Sequence, residues 1–343
     1  MRFHARYRFL VFLPIGILLG LNACQKEEGL AAPNFQLLTP RGFPEMDIPS
    51  ENQLTESRWL LGRKLFYDPI LSRDSSISCS SCHNPSFAFS DHVSFSAGVD
   101  GRLGTRNSST LTNIGYNPYF TREGGVPTLE MQVLIPVEEH AEMDFNIVAA
   151  GDRLKTIPAY IALSQKAYNM EPDYYVITRA LACFERTLVS GNSRFDQYEY
   201  QGNLNILSDA ELRGKELFFS SRTNCSACHG GFNFTNYSFE NNGLYEVYAD
   251  KGRYKLTSNP EDAEKFKVPT LRNVGVTGPY MHDGSMLSLE DIIEHYNLGG
   301  ALNQNKSALV KVLNLNQQEK QDLLAFLNSL TDASFINDEK FKP

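Results

Sequence analysis

The sequence predicts a mainly α fold, built as two units in tandem and rich in long loops. Three observations carry the prediction. Apolar residues recur at helical spacing over residues 158–164, 174–188, 289–298 and 317–330. Alternating strand patterns are scarce. A short pattern also occurs twice, as Gly62-Arg-Lys-Leu-Phe-Tyr67 and Gly214-Lys-Glu-Leu-Phe-Phe219. Each copy is followed by Cys-x-x-Cys-His, as Cys79-Ser-Ser-Cys82-His83 and Cys225-Ser-Ala-Cys228-His229.

Taken in order, residues 1–23 carry Arg2, Arg6 and Arg8 and then an apolar run over residues 9–21. The run is too short for a comfortable membrane span and reads as a secretory signal. It ends in Leu21-Asn22-Ala23-Cys24, which resembles a bacterial lipobox, so Cys24 is expected to become the lipidated first residue. An ordinary signal peptide cut near Ala23, or a retained anchor, is the alternative; each leaves the body outside the cytoplasm, expected in the periplasm. Losing the leader lowers the basic count from 32 to 29 against 40 acidic residues, which argues against a nucleic-acid binder.

Residues 24–49 are punctuated by Pro and Gly without periodicity and read as a tether. The first unit is expected over residues 50–192 and the second over 193–343, with a Gly-, Asn- and Ser-rich hinge near residues 190–205. Thr55 opens the helix that contains the first Gly-x-x-Leu-Phe pattern. Ser208 and Glu211 form a capping box for the second. A last start signal, Ser288 to Asp291, opens a helix that closes at Gly299-Gly300.

Two copies of Cys-x-x-Cys-His point to two covalently bound c-type haems. Two thiols on one short turn form thioethers to the vinyl groups, and the next residue aims an imidazole at the iron. A zinc site or a redox Cys-x-x-Cys pair is the alternative, but neither chemistry requires both copies to end in His. Helix, loop and Cys-x-x-Cys-His is the layout of a cytochrome c unit, which makes the fold class two tandem cytochrome c-like domains with cofactor-wrapping loops. Cys183, in an apolar helical stretch, is expected to be buried and inert.

With His83 and His229 as proximal ligands, function turns on the opposite face of each iron: a filled face moves electrons and an empty one binds small molecules. Outside the leader, His92, His140, His282 and His295 remain. On the helix after Ser288, Leu289, Ile292, Ile293 and Tyr296 share one face and His295 lies about 100° away from Tyr296. Spacing alone leaves Tyr296 as core or ligand, with Met281 and Met286 as rival thioethers.

The stretch from Phe266 to His282-Asp283-Gly284, with Leu65-Phe-Tyr-Asp-Pro69 and Phe184-Glu-Arg-Thr-Leu188, resembles the bacterial dihaem cytochrome c peroxidase family, which includes the MauG enzymes. Typical members place a Met ligand fourteen residues beyond the His of His-Asp-Gly; here that place is Tyr296, as in MauG. The resemblance therefore implies Tyr296 as distal ligand, and a hard anionic oxygen implies a low reduction potential. Classical members cap the first haem with a His sixteen residues after the proximal His; here the place is Val99, which cannot ligate. The first iron is expected to be five-coordinate or water-bound at rest, with His92 in a surface or loop role.

Family register also implies Glu142 as the acid/base that handles the peroxide protons and Gln132 as its helper, with Pro136 between them and His140 as a backup base. Arg122-Glu-Gly-Gly125 occupies the register of a Trp-Asp-Gly-Arg stretch between the haems, and the one tryptophan, Trp59, lies elsewhere. Tyr119 and Phe120 are the candidates to stand in, and only Tyr119 is readily oxidised. A calcium ion is implied as well, held by Asn107, Thr277 and Pro279; an all-oxygen set suits a hard cation.

The expected function is reduction of hydrogen peroxide to water at the His83 haem. Electrons arrive from a small donor protein, cytochrome c or a cupredoxin, through the His229/Tyr296 haem. Contact with a membrane is expected only through the lipid, and a homodimer is the expected oligomeric option. The alternative is a MauG-like oxidase that uses the same high-valent iron on a protein or organic substrate. A non-catalytic dihaem electron carrier is the third reading; it needs both irons capped, which Val99 opposes.

Overall fold

Helices account for nearly all regular structure in this computed structural model, which describes Met1 and residues 37–343; the expected leader and Cys24 lie outside the described residues. In the first half the helices are α1 (Glu56–Tyr67), α2 (Cys79–Cys82), α3 (Leu129–Gln132), α4 (Leu134–Glu138), α5 (Ile147–Lys155), α6 (Pro158–Tyr168) and α7 (Tyr174–Glu185). They are followed by α8 (Arg194–Glu199), α9 (Asp209–Phe219), α10 (Cys225–Cys228), α11 (Tyr254–Thr257), α12 (Leu289–Asn297), α13 (Gln317–Ser329) and α14 (Ala333–Ile336). Among the described residues the one sheet pairs β1 (Phe239–Glu240) antiparallel with β2 (Phe266–Lys267).

Both halves are organised by a crossed helix pair, α1 on α7 and α9 on α13. Each crossing is close because a glycine sits in it. A Cβ on Gly62 would stand 1.9 Å from the Ala180 carbonyl oxygen, and one on Gly214 would stand 1.9 Å from the Asp322 carbonyl oxygen. The helices start where their caps require. Thr55 Oγ1 accepts from Arg58 N, Asp173 from Val176 N, and Ser208 with Glu211 and Asn316 with Glu319 close reciprocal boxes.

The repeat extends beyond the two motifs. Asn113 and Asn273 both adopt left-handed φ, near 57° and 60°. Each receives the chain that leaves its half: Asn113 N donates to Leu188 O and Asn273 N to Leu330 O, while Ser190 N and Asp332 N donate to the two side-chain oxygens. Phe120 bridges Val126 as Tyr280 bridges Met286, after which Thr128 caps α3 and Ser288 caps α12.

One core gathers Leu61, Leu65, Phe66, Phe89, Leu181 and Phe184; the other gathers Phe195, Phe218, Phe234, Ile293, Leu323 and Phe326. The halves do not separate cleanly at residue 192, because Phe335 and Phe341 return to the first core. The hinge expected at residues 190–205 starts as a fixed segment. Asp332 accepts from Ser190 Oγ, Gly191 N and Asn192 N, and Asp196 pairs with Arg272 in a fully buried ion pair of 2.8 Å. The described part of the expected tether is likewise packed: Phe43 and Met46 are buried, and the Phe43 ring lies 4.8 Å from that of Phe232.

Candidate haem sites

At the first motif, Ser78 and Ser81 box the turn that presents Cys79 and Cys82. His83 then leaves the helix, and its Nδ1 bonds the Phe89 carbonyl at 2.9 Å. That bond occupies Nδ1, as is usual in a metal-bound imidazole, and the Ser109 backbone is a second hydrogen-bonding neighbour of the ring. The second motif repeats it, with His229 Nδ1 at 3.1 Å from the Phe234 carbonyl. Burial lowers both imidazoles, so both are neutral and fit to donate a lone pair. The four motif cysteines are free thiols here, standing in for the thioether sulfurs, and burial raises each of them.

The alternative zinc reading needs these thiols gathered, and among the described residues no group of three or more His, Cys, Asp or Glu is arranged to hold a metal. Instead Cys79, Cys82, His83, Cys225, Cys228, His229 and Tyr296 each keep accessible surface although protein encloses them. Side chains lining a crevice behave in this way, and a flat cofactor fits such a crevice.

Of the expected acid/base residue and its helper, Glu142 is the one tied to the first site. It lies near enough to the motif to be one of the charges that raise both the Cys79 and the Cys82 thiols. Glu142 is exposed as a residue, yet desolvation by nearby protein, then repulsion from Glu139, pushes its carboxyl upward. Val99 holds it there: the fully buried Val99 donates its N–H to the Glu142 carbonyl at 2.8 Å. Gly98 permits the approach, since a Cβ there would stand 2.2 Å from Ala141 O. Gln132 presents a buried Oε1 that no group of the protein satisfies.

His140 and His92 point elsewhere. The His140 side chain is 71% exposed and held by Asp144 at 3.0 Å and by Arg102. That of His92 is 66% exposed and lies tilted against Phe87, with ring centroids 4.9 Å apart.

At the second site Tyr296 is turned inward on α12. The charges of Cys225 and Cys228 act on its phenol, and burial pushes the phenol up to about 12. His295 points aside, its Nε2 3.1 Å from the Asn242 carbonyl. Asn242 was not marked by any sequence signal, yet its amide meets both Tyr296 and Met281.

Between the sites, Arg122 occupies the expected tryptophan register. Its Nη2 donates to Asn107 O at 2.7 Å, and burial with Arg106 nearby pulls the guanidinium down to about 10. Lys267 N donates to Arg122 O as Asn107 N donates to His282 O, a matched pair across the repeat. Tyr119 stacks on Phe239 with its hydroxyl on Tyr237 O, while Phe120 is buried with Leu129 and Ala182. Trp59 belongs to the first core, its Nε1 bonded to Thr187. Asn107 is buried, spends its Nδ2 on Val93 O and donates its N–H to the His282 carbonyl. Cys183 is buried against Asn52, as an inert thiol would be.

Known proteins share this architecture. The family model for di-haem cytochrome c peroxidase matches residues 56–205. The methylamine utilization protein MauG of Methylorubrum extorquens is 36% identical over 313 residues, covering 90% of this chain and 87% of that protein. The cytochrome c551 peroxidase of Nitrosomonas europaea is 34% identical and covers 79% of each. Among solved structures, a MauG-like protein associated with microbial copper homeostasis superposes with a TM-score of 0.84 at 33% identity, covering 88% of this chain and 97% of that one.

Proposed function

The chain belongs to the di-haem cytochrome c peroxidase family, and from that premise we propose that its two halves divide the work between a peroxide site and an electron-entry site. It is an oxidoreductase that acts on hydrogen peroxide and carries two c-type haems. On this reading residues 50–192 and 193–343 are tandem cytochrome c-like domains. His83 and His229 are the proximal ligands, with thioethers at Cys79, Cys82, Cys225 and Cys228.

The reading rests on one contact, the bond from Val99 N–H to the Glu142 carbonyl. The residue that leaves the first site uncapped also holds the acid/base at its edge. Bound at His83, the haem iron supplies the centre at which the O–O bond breaks. The protein supplies proton handling: Glu142 takes a proton from the incoming peroxide and returns it to the departing oxygen, so that peroxide, two electrons and two protons give two waters. Gln132 Oε1 accepts a hydrogen bond from peroxide or water and orients it.

At the second site Tyr296 is the distal donor. Its oxygen favours the oxidised state of the iron over the reduced one. Asn107, Thr277 and Pro279 supply a calcium site of oxygen donors alone. Electrons come from a cytochrome c or a cupredoxin. The protein works in the periplasm and is tied to a membrane through lipid on Cys24.

A second reading, a MauG-like oxidase acting on a protein or organic substrate, is favoured by the pairing of Tyr296 with Val99 and by the MauG relatives. Steady-state turnover separates the two. Rapid peroxide consumption with reduced cytochrome c supports the first, and peroxide-driven oxidation of another substrate in its absence supports the second. The resting ferric protein is expected to give a high-spin electron paramagnetic resonance signal from the His83 site; a purely low-spin spectrum contradicts an open first iron.

A further inference from the structure

Asn242 ties three parts of the second site together. Its backbone carbonyl accepts from His295 on α12. Its Oδ1 accepts from Leu244 N at 3.1 Å and is 3.2 Å from Tyr248 Oη. Those donors fix the amide orientation, since a flipped amide would set two N–H groups against the Leu244 N–H. The NH2 end therefore faces the other way, where it bonds Met281 Sδ at 3.1 Å and lies near enough to the Tyr296 phenol to pull its pKa downward.

Met281 is itself held in an unusual state. Its φ is +73°, a left-handed conformation in a residue with a side chain. On one side Tyr280 is bridged to Met286, and on the other the His282 carbonyl accepts from Asn107 N. Such a conformation persists only where the surroundings over-determine it. Two donors of opposite chemistry, a hard phenol oxygen and a soft thioether sulfur, thus lie beside one amide.

We propose that Asn242 selects the distal donor of the second haem, fixing the Tyr296 oxygen in the site and withholding the Met281 sulfur. The inference rests on Tyr296 being that donor. Asn242 is a positioning residue, acting through Tyr296 and Met281 and touching neither iron nor peroxide. An N–H bonded to sulfur engages one of its two lone pairs and holds the side chain in place, so that the sulfur is not free to swing to the iron, while the same amide favours the competing oxygen.

The test uses ferric holoprotein with both haems attached, comparing the native chain with Asn242→Leu, Asn242→Ser, Met281→Leu and the Asn242→Leu/Met281→Leu double variant. The readouts are tyrosinate modes in resonance Raman, the far-red thioether-to-iron charge-transfer band, and the midpoint potential of the second haem. Native protein and Met281→Leu are expected to share the tyrosinate signature and a low potential. Both Asn242 variants should lose part of that signature, gain the thioether band and shift the potential upward, and the double variant should lack the band. Leucine and serine differ in bulk and polarity, so agreement between them separates the lost amide from a packing fault. Asn242 variants that keep the native Raman spectrum and potential overturn the inference while leaving Tyr296 as ligand. A native protein without tyrosinate modes overturns the ligand assignment itself, and the selection role with it.

Discussion

At Glu142 two constraints meet: a backbone pinned by Val99 and a carboxyl raised by partial desolvation and by Glu139. A raised carboxyl is better suited to taking up and returning a proton near neutral pH. Replacing Glu142 with Gln keeps the shape and removes the exchange, and peroxide turnover is expected to fall roughly a hundredfold or more with haem spectra unchanged. Stopped-flow mixing of ferric protein with peroxide measures this directly. Undiminished turnover would hand the role to His140, although that side chain faces solvent and Asp144. Glu185 makes a second residue-scale prediction. It is buried on α7 close enough to act on Cys79, and desolvation pushes its carboxyl up to about 8. The unfolded chain releases the same proton near pH 4.3, so between these values the folded state holds a proton the unfolded state has lost, and stability falls as pH rises. Glu185→Gln should match the native protein at about pH 4 and exceed it by roughly 2–4 kcal/mol at about pH 8. Denaturant titrations across that range decide it; a gap independent of pH would show that Glu185 does not titrate as argued.

The crossed pairs explain at the scale of elements why the Gly-x-x-Leu-Phe pattern recurs. In Gly214→Ala, helix propensity improves by about 1 kcal/mol. The added Cβ, however, meets the Asp322 carbonyl at a distance no real contact allows, so α9 and α13 must separate. Forced repacking of this kind costs about 1–3 kcal/mol or more, and clashing with backbone places it at the upper end. The variant is expected to be net destabilised in guanidinium titrations; equal or higher stability would mean that the crossing yields easily. The pattern itself was legible in the sequence, and so were the caps at Thr55 and Ser208 and the helices over α6, α7, α12 and α13, because each is a local signal. Helices α3 and α4 were not. Pro136 and the acidic run at residues 138–142 break the periodicity of these short turns, while the nine-residue α5 carries its own signal in the Asn146 cap and was simply missed. Among the site residues, the cysteines and proximal histidines follow from spacing alone. Tyr296 and Glu142 needed the family register, and Asn242 escaped both because its partners lie 39 and 54 positions away along the chain.

The whole molecule is stitched across its repeat in ways that no local pattern announces. Arg272 of the second half is fully buried on Asp196 and stacks on Phe43 at 4.5 Å. The last residues cross back over as well. Phe341 is buried at 1% exposure beside Phe89 and Phe335, and the backbone around it accepts from Tyr67 and Arg63 on α1. The end of the chain is thus part of the core beneath the His83 site, although by sequence it follows the His229 half. Phe341→Ala should therefore cost about 3–5 kcal/mol, the range for emptying an aromatic site in a packed core. The loss should also be uneven. Hydrogen exchange is expected to speed up in α1, in α7 and in the segment around Phe89 that orients His83, while α9 and α13 keep their protection. With His83 as the proposed proximal ligand held less firmly, the variant should show a broadened signal from the first haem and a native one from the second. Equal loosening of both helix pairs would mean that the halves unfold as one unit, and no loosening would mean that the tail merely covers the surface.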